Sequence, residues 1–145
     1  MREMLDMLVL EKQIPVLGVC VGMQIMASSS EEGQLAGLNW IPGRVKKFDV
    51  ATLQHKPTIP HMGWNQFTAK SIHPIFEEID AEQGFYFLHS YYFECESASD
   101  IFAHSEYGIE FSSAVHRQNI YGFQFHPEKS LSNGVALLKN FAGLS

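Results

Sequence analysis

One cysteine of this chain stands in a setting that suits a nucleophile. Cys20 is flanked by Gly18 and Gly22, which gives the Gly-x-Cys-x-Gly form of a nucleophile elbow. Glycines at these positions let neighbouring backbone pass closely without Cβ clashes. We therefore predict that Cys20 is raised on a sharp strand-to-helix turn, where the first helical amides favour its thiolate and the Val21 amide donates to an oxyanion. From this motif alone, a cysteine that only packs in the core is an equal alternative.

A base and an acid follow near the carboxyl end of the chain, in His126-Pro127-Glu128. Pro127 cannot extend the ladder of the aromatic strand before it, so His126 is expected at the tip of that strand. Residues two apart in extended chain face the same side, which brings Glu128 within reach of the imidazole. We predict that His126 takes the proton of Cys20 while Glu128 orients the ring, as in a catalytic triad.

Periodicity and turn residues predict the elements that position these groups. Helices are predicted over 2–11, 23–28 and 131–141, with a helical turn at 73–79 and a loop over 28–43. Strands are predicted over 16–19, 44–48, 58–61, 65–68, 85–92, 101–104, 112–116 and 120–125. On the last helix we place Val135, Leu138 and Phe141 on the apolar face. The pattern indicates one mixed α/β domain over residues 1–145.

Composition narrows the class of protein. The 145 residues include 46% hydrophobic and 18% charged side chains, typical of a globular core, and the net charge of −6 argues against nucleic-acid or membrane-surface binding. Two cysteines, Cys20 and Cys95, do not make a disulfide framework, so we expect a cytoplasmic protein. No apolar stretch is long enough to span a bilayer. Four further histidines lack the spacing of metal ligands, so neither metal nor cofactor is predicted: His55, His73, His104 and His116.

Five segments together resemble a known family. GVCVGMQ (18–24) and GFQFHPEKS (122–130) resemble the class I glutamine amidotransferases. PGRV (42–45), PHMGWN (60–65) and FLHSYY (87–92) are similar to the glutaminase subunit of imidazole glycerol phosphate synthase. The resemblance implies a three-layer, flavodoxin-like α/β fold with a mixed sheet and flanking helices. It implies hydrolysis of glutamine to glutamate and ammonia, and transfer of the ammonia to a synthase/cyclase subunit in a heterodimer of histidine biosynthesis.

The resemblance also implies roles for residues outside the triad. Gln24 and Glu32 match positions that hold the substrate glutamine, and Ser90 and Tyr91 match positions near its backbone end. A carboxylate such as Glu32 suits a ligand ammonium group. A solvated loop acid is the other interpretation of Glu32.

A partner surface is implied in the same way. His61, Trp64 and Asn65 match the segment that faces the synthase, and Lys129 matches an interface position. Tryptophan is a strong interface anchor, although a Trp between Gly and Asn also suits a core, and Lys129 also suits a solvated surface.

One departure from the family pattern concerns the amino terminus. Family members carry several tens of residues before this region, including a glycine-rich loop that supplies oxyanion donors. This sequence begins in the helix before the nucleophile strand, so we expect a domain that is incomplete at its amino terminus, with strand 16–19 exposed along one side. The alternatives are a non-catalytic partner-binding remnant, a paralogue that supplies ammonia to another amidation pathway, and a cysteine peptidase or α/β-hydrolase relative. Gln24 and the His-Pro-Glu spacing argue against the last.

Overall fold

A computed structural model of the chain describes residues 1–52 and 58–144. His55 lies outside the described residues. The helices are α1 (Arg2–Asp6), which continues into a π-helical turn (Met7–Glu11), α2 (Val21–Gln24) and α3 (Leu131–Ala142). The strands are β1 (Val16–Val19), β2 (Ser29–Ser30), β3 (Gly43–Lys47), β4 (His61–Asn65), β5 (Thr68–Ala69), β6 (Phe85–His89), β7 (Tyr91–Cys95), β8 (Ile101–Tyr107), β9 (Ile109–Arg117) and β10 (Ile120–Phe123). Short 3₁₀ turns lie at Val50–Thr52, Pro74–Phe76, Ala98–Asp100 and Pro127–Lys129.

The main sheet is mixed. Its strands follow the order β1-β10-β9-β7-β3-β2, and β8 pairs with β9 and β5. The pairs β1–β10 and β2–β3 are parallel, whereas the remaining pairs are antiparallel. Strands β4 and β6 form a separate antiparallel pair. A mixed sheet with flanking helices is the α/β fold that the sequence predicts. Within the described residues, β1 pairs with β10 alone and ends the main sheet.

Several predicted element boundaries were wrong. The strand predicted over 58–61 begins only at His61, because Pro60 has no amide hydrogen to donate to a ladder. Residues 66 and 67 separate β4 from β5, so 65–68 is not one strand. The aromatic run 85–92 is two strands that break at Ser90, because β6 pairs with β4 while β7 joins the main sheet. Helix α2 also begins at Val21 and ends by Gln24, earlier than the predicted 23–28.

The face that helix α3 buries also differs from the prediction. Val135 and Leu138 are 68% and 42% exposed, and the buried residues are Asn133, Gly134 and Leu137. A Cβ on Gly134 would lie 1.7 Å from the carbonyl oxygen of Pro127, so the helix backbone packs directly on the turn after β10. The amide of Asn133 also anchors this face by donating to two backbone carbonyls of the segment before β6. Close backbone contact at Gly134 therefore helps to orient α3, while Leu137 and the predicted Phe141 pack against the aromatic core.

The core that supports the edge of the sheet is rich in aromatic rings. Phe85 stacks on Phe125 with ring centroids 3.8 Å apart, and Phe87 and Phe123 pack beside them. All four side chains are 0% exposed. Each buried side chain of this size contributes about 1.5–3 kcal/mol relative to an exposed one. The segment that leads to His126 is thus held on both sides by fully buried phenylalanines.

Candidate active site

Parallel pairing of β1 and β10 brings the two predicted catalytic segments to one edge of the sheet. Val19 pairs with Phe123, and the amide of Cys20 donates to the carbonyl of Phe123 at 2.7 Å. His126 follows three residues after Phe123, and its amide donates to the carbonyl of Tyr86 at 2.8 Å. Because both strands run the same way, Cys20 and His126 emerge from neighbouring carboxyl ends.

The backbone at Cys20 is strained in the manner of a nucleophile elbow. Its φ of 54° and ψ of −109° lie outside the regions that L-residues favour, a conformation that costs on the order of 1–3 kcal/mol. A Cβ on Gly18 would lie 2.5 Å from the carbonyl oxygen of Gly22, so the turn requires glycine at the first of these positions. A Cβ on Gly22 would meet nothing within 4 Å. The predicted close approach therefore explains Gly18 but does not explain Gly22.

Burial dominates the electrostatics of the thiol. It raises the pKa of Cys20, whereas the Val21 amide and the Gln124 side chain lower the pKa through hydrogen bonds to sulfur. The carboxylates of Glu128 and Glu32 raise the pKa further. The Val21 amide, at the start of α2, thus favours the thiolate as predicted, but desolvation outweighs it and the net pKa of Cys20 is raised.

The side chains of His126 and Glu128 form the predicted pair. His126 Nδ1 lies 2.5 Å from an oxygen of Glu128, so this nitrogen carries the proton that the carboxylate accepts. The other ring nitrogen, Nε2, is buried and has no hydrogen-bond partner among the described residues. The Ser130 hydroxyl donates to the His126 carbonyl at 2.6 Å and accepts from the Tyr86 amide at 2.9 Å, which fixes the turn. The ring is thus oriented through one nitrogen and left with an open acceptor at the other.

Gln24 lies beside the nucleophile with both of its amide hydrogens engaged. Its Nε2 donates to the Tyr91 carbonyl at 3.2 Å and to Gln124 Oε1 at 3.0 Å. Gln24 also lines a cavity of about 300 Å3 together with Val21 and Glu32. Only its carbonyl oxygen is left for a ligand, which suits an ammonium or amide donor.

The neighbouring loop acids Glu31 and Glu32 lie in different environments. Glu31 is engaged, because its carboxylate lies 3.4 Å from the Arg44 guanidinium and accepts from the Lys47 amide at 2.9 Å. Glu32 is exposed and lines the same cavity as Gln24. Of the pair, Glu32 is therefore the acid that a ligand in this cavity would meet.

The junction between β6 and β7 closes against the nucleophile. The Leu88 carbonyl lies 3.8 Å from the sulfur of Cys20, in position to accept from the thiol. The Tyr91 carbonyl accepts from Gln24, and the Ser90 carbonyl accepts from the Phe48 amide at 3.1 Å. Of the two predicted residues, Tyr91 therefore contacts Gln24 and Ser90 lies in the same junction, and both backbone carbonyls are engaged within the protein.

Gln124 is a site residue that the motifs did not identify. Its side chain is 0% exposed, and its Nε2 lies 3.5 Å from the sulfur of Cys20 while its Oε1 accepts from Gln24. The signal in the sequence is a single amide between Phe123 and Phe125, in a predicted strand (120–125) that is otherwise apolar and directly precedes the predicted base.

Alternation along β4 divides the predicted partner residues between two faces. His61 is 3% exposed and stacks on the rings of Phe87 and Tyr107, so its assignment to a docking surface was wrong. Asn65 points the same way and donates to the Glu106 carbonyl at 2.8 Å. Side chains alternate along a strand, so these residues face inward while their neighbours face out.

The other two predicted partner residues, Trp64 and Lys129, lie on the outer face of the β4–β6 pair. Trp64 is 45% exposed and pairs across the strands with Tyr86. The ammonium of Lys129 lies over the Tyr86 ring, 5.9 Å from its centroid. Met62, which is 65% exposed, adds to this face. Met62, Trp64, Tyr86 and Lys129 are together called the outer β4–β6 face below.

The described residues contain neither a membrane-spanning helix nor a cluster of metal-binding side chains. No helix in the described ranges has the length and apolar character to cross a membrane. Nor do residues 1–52 and 58–144 hold a group of three or more His, Cys, Asp or Glu that could bind a metal ion.

The fold and the site together define a glutamine amidotransferase domain. The family model for class-I glutamine amidotransferases matches residues 2–143, so the chain belongs to this family. It is 54% identical over 143 residues to the imidazole glycerol phosphate synthase subunit HisH of Leptospira borgpetersenii, covering 99% of this chain and 70% of that protein. The subunit HisH of Bdellovibrio bacteriovorus is 49% identical over 142 residues, with 98% and 70% covered.

A solved structure supports the fold independently of close sequence similarity. A protein from Thermoplasma acidophilum, described as a GMP synthase subunit, superimposes with a TM-score of 0.67 at 22% identity. The match covers 98% of this chain and 62% of that one. The chain thus spans about 70% of the length of its curated relatives and less of this structural neighbour.

Proposed function

We propose that the chain is a glutaminase subunit that hydrolyses glutamine to glutamate and ammonia. The observation that carries the proposal is the hydrogen bond of 2.5 Å between His126 and Glu128, placed at the sheet edge where Cys20 stands on a strained turn. An oriented imidazole with an open acceptor nitrogen, at the same sheet edge as a cysteine, suits nucleophilic acyl transfer.

The reaction follows from these positions. His126 Nε2 takes the thiol proton, and the sulfur of Cys20 attacks the side-chain carbonyl carbon of glutamine. The oxyanion that forms accepts from the Val21 amide. Collapse of the adduct breaks the carbon–nitrogen bond, and the imidazolium of His126 gives its proton to the departing ammonia. Water, deprotonated by the same ring, then cleaves the γ-glutamyl thioester and restores the thiol.

Four residues hold the substrate in this proposal. Gln24 and Glu32 line the cavity, and the Gln24 carbonyl oxygen and the Glu32 carboxylate suit the ligand's ammonium group. Ser90 and Tyr91, in the turn against the nucleophile, are assigned to the backbone end of glutamine. Since the carbonyls of both residues are engaged, their amides and the Ser90 hydroxyl are the groups available to a carboxylate.

The proposal extends to a partner and a pathway. Ammonia released into water at neutral pH is mostly protonated and lost as a nucleophile, so a sealed route to an acceptor site is required. We assign the outer β4–β6 face to a synthase/cyclase subunit that makes imidazole glycerol phosphate in histidine biosynthesis, in a cytoplasmic heterodimer. The names of the relatives support this pathway.

Labelling tests the chemistry directly. A glutamine analogue with a diazoketone electrophile is expected to modify Cys20 and to spare Cys95, because burial raises the pKa of Cys95 to about 12. Modification of Cys95 instead, or of neither cysteine, would overturn the assignment of the nucleophile. Co-expression with a candidate synthase, followed by glutaminase assay with and without it, tests the partner. Complex formation without any turnover would indicate a non-catalytic binding module.

A further inference from the structure

Gln124 contacts both the nucleophile and a glutamine-binding residue of the proposed site. It is fully buried, and its backbone amide is already satisfied by the Ser113 carbonyl at 2.9 Å. Its side-chain amide therefore contributes nothing to the ladder of the sheet. A buried amide is costly unless it is hydrogen bonded, and here its two ends reach Cys20 and Gln24.

The direction of this hydrogen-bond chain is determined by its anchor. The Tyr91 carbonyl can only accept, so the atom of Gln24 that faces it must be the amide nitrogen. That nitrogen has a second hydrogen, which it donates to Gln124 at 3.0 Å, so the acceptor there is Gln124 Oε1. The NH₂ group of Gln124 consequently points at the sulfur of Cys20, 3.5 Å away.

An N–H group aimed at sulfur distinguishes the two protonation states of the thiol. A neutral thiol accepts hydrogen bonds weakly, whereas a thiolate accepts them strongly because it is charged. Gln124 itself neither gains nor loses a proton when the thiol proton passes to His126. It would act only by making the charged sulfur more favourable in a site where burial and two carboxylates oppose that charge.

We propose that Gln124 is a second donor to the Cys20 thiolate, alongside the Val21 amide, and that Gln24 holds it in the donating orientation. This inference rests on the proposed function, in which Cys20 is the nucleophile. It assigns Gln24 a positioning role in addition to its role in binding glutamine.

The test is the titration of Cys20 in the variant Gln124→Met, which keeps the side-chain length and removes the donor. The rate of alkylation of Cys20 by iodoacetamide is followed against pH, with the modified cysteine identified by mass spectrometry. The expected result is a rise in the pKa of Cys20 by about one pH unit, which slows alkylation at neutral pH about tenfold. Gln83→Met makes the same chemical change at an exposed position and should leave the titration unchanged.

A second variant keeps the test decisive if Gln124→Met fails to fold. Gln24→Met removes the group that orients Gln124 and should raise the pKa of Cys20 in the same direction by a smaller amount. An unshifted titration in whichever of the two variants retains a cooperative thermal unfolding transition would overturn the proposal. The titration needs no glutamine, so it separates this inference from the proposed function. If the pKa of Cys20 shifts in the variants but the glutamine analogue does not label Cys20, the hydrogen-bond proposal stands and the proposed glutaminase function is rejected.

Discussion

His61 Nδ1 lies 3.0 Å from Nε2 of His89, and the tautomer of each ring follows from its other neighbour. His89 Nδ1 donates to the Tyr91 carbonyl at 2.7 Å, so its Nε2 is an acceptor when the ring is neutral. His61 Nδ1 must then carry a hydrogen, and its Nε2 faces the Asn65 amide at 3.3 Å. The pair links the inner side of β4 to the carbonyl that also holds Gln24.

This pair predicts a pH dependence of stability. Burial lowers the pKa of His89 to about 4, while its bond to Tyr91 opposes the shift and the charge of His126 adds to it. Between about 4 and the ordinary value of about 6.5, the unfolded chain binds more protons than the folded one at this site, so stability is lost as pH falls through that window. The loss by pH 4 is on the order of 3 kcal/mol.

Urea unfolding between pH 4 and 7 measures this dependence. The variant His89→Gln keeps a donor for Tyr91 and an acceptor for His61 but cannot titrate, so its stability should change less steeply with pH than that of the wild type. His104→Gln, on β8, is the matched control. The same slope in wild type and His89→Gln would contradict the prediction.

The elbow predicts different outcomes for its two glycines. Gly18→Ala places a Cβ 2.5 Å from the Gly22 carbonyl oxygen, and backbone cannot yield as a flexible side chain does, so we expect a loss of about 1–3 kcal/mol in the free energy of unfolding. Gly22→Ala meets open space and should change stability by less than about 0.5 kcal/mol. Equal effects of the two substitutions, measured by denaturant titration, would argue against the strained packing of this turn.

Local spacing explains how much of the site the sequence could predict. The strand before Cys20, the sharp turn and the His126–Glu128 hydrogen bond each depend on residues that are close in the chain. The α/β class follows from the same short-range patterns. The break at Ser90 and the face of α3 depend on which distant backbone each segment meets, and apolar periodicity does not carry that information.

The sequence did not predict the positions of Gln124 and His61 correctly. Gln124 could not be assigned to the site from the sequence, because its role depends on hydrogen bonds to Gln24 and Cys20, which lie about a hundred residues away in the chain. His61 was placed on the wrong side, because the motif that includes Trp64 does not say which alternate residues of the strand face the core. The pairing of β4 with β6 determines which of these side chains face the core.

The triad predicts graded losses of activity. His126→Ala removes the base and should lower kcat about 10²–10⁴-fold, because partial burial raises the pKa of the Cys20 thiol, which then ionises poorly without a base. Glu128→Gln keeps a group that can contact the ring and should cost less, since orientation and stabilisation of the imidazolium are partial effects. Steady-state glutaminase assays of the complex measure both. A larger loss in Glu128→Gln than in His126→Ala would contradict these roles.

The outer β4–β6 face predicts which substitutions weaken a partner complex. Trp64 is a half-exposed aromatic side chain next to Tyr86, and Lys129 packs its charge over the same ring, so the three form one continuous patch beside the catalytic turn. Buried aromatic anchors dominate interface energies, so Trp64→Ala should weaken binding about thirtyfold, as for a loss of about 2 kcal/mol. Lys129→Glu reverses a charge that would suit an acidic partner residue and should slow association, with a dependence on salt.

Matched controls separate this face from general surface effects. Ile72→Ala truncates an exposed apolar residue outside the face, and Lys139→Glu makes the same charge reversal in the last turn of α3. Both variants should bind the synthase as the wild type does in calorimetry or surface plasmon resonance. Glutaminase stimulation should fall with binding in the Trp64 and Lys129 variants, because a complex that docks loosely cannot seal the route for ammonia. Unchanged affinity and unchanged stimulation in both variants would remove the interface from the proposal and leave the chemistry of Cys20, His126 and Glu128 standing alone.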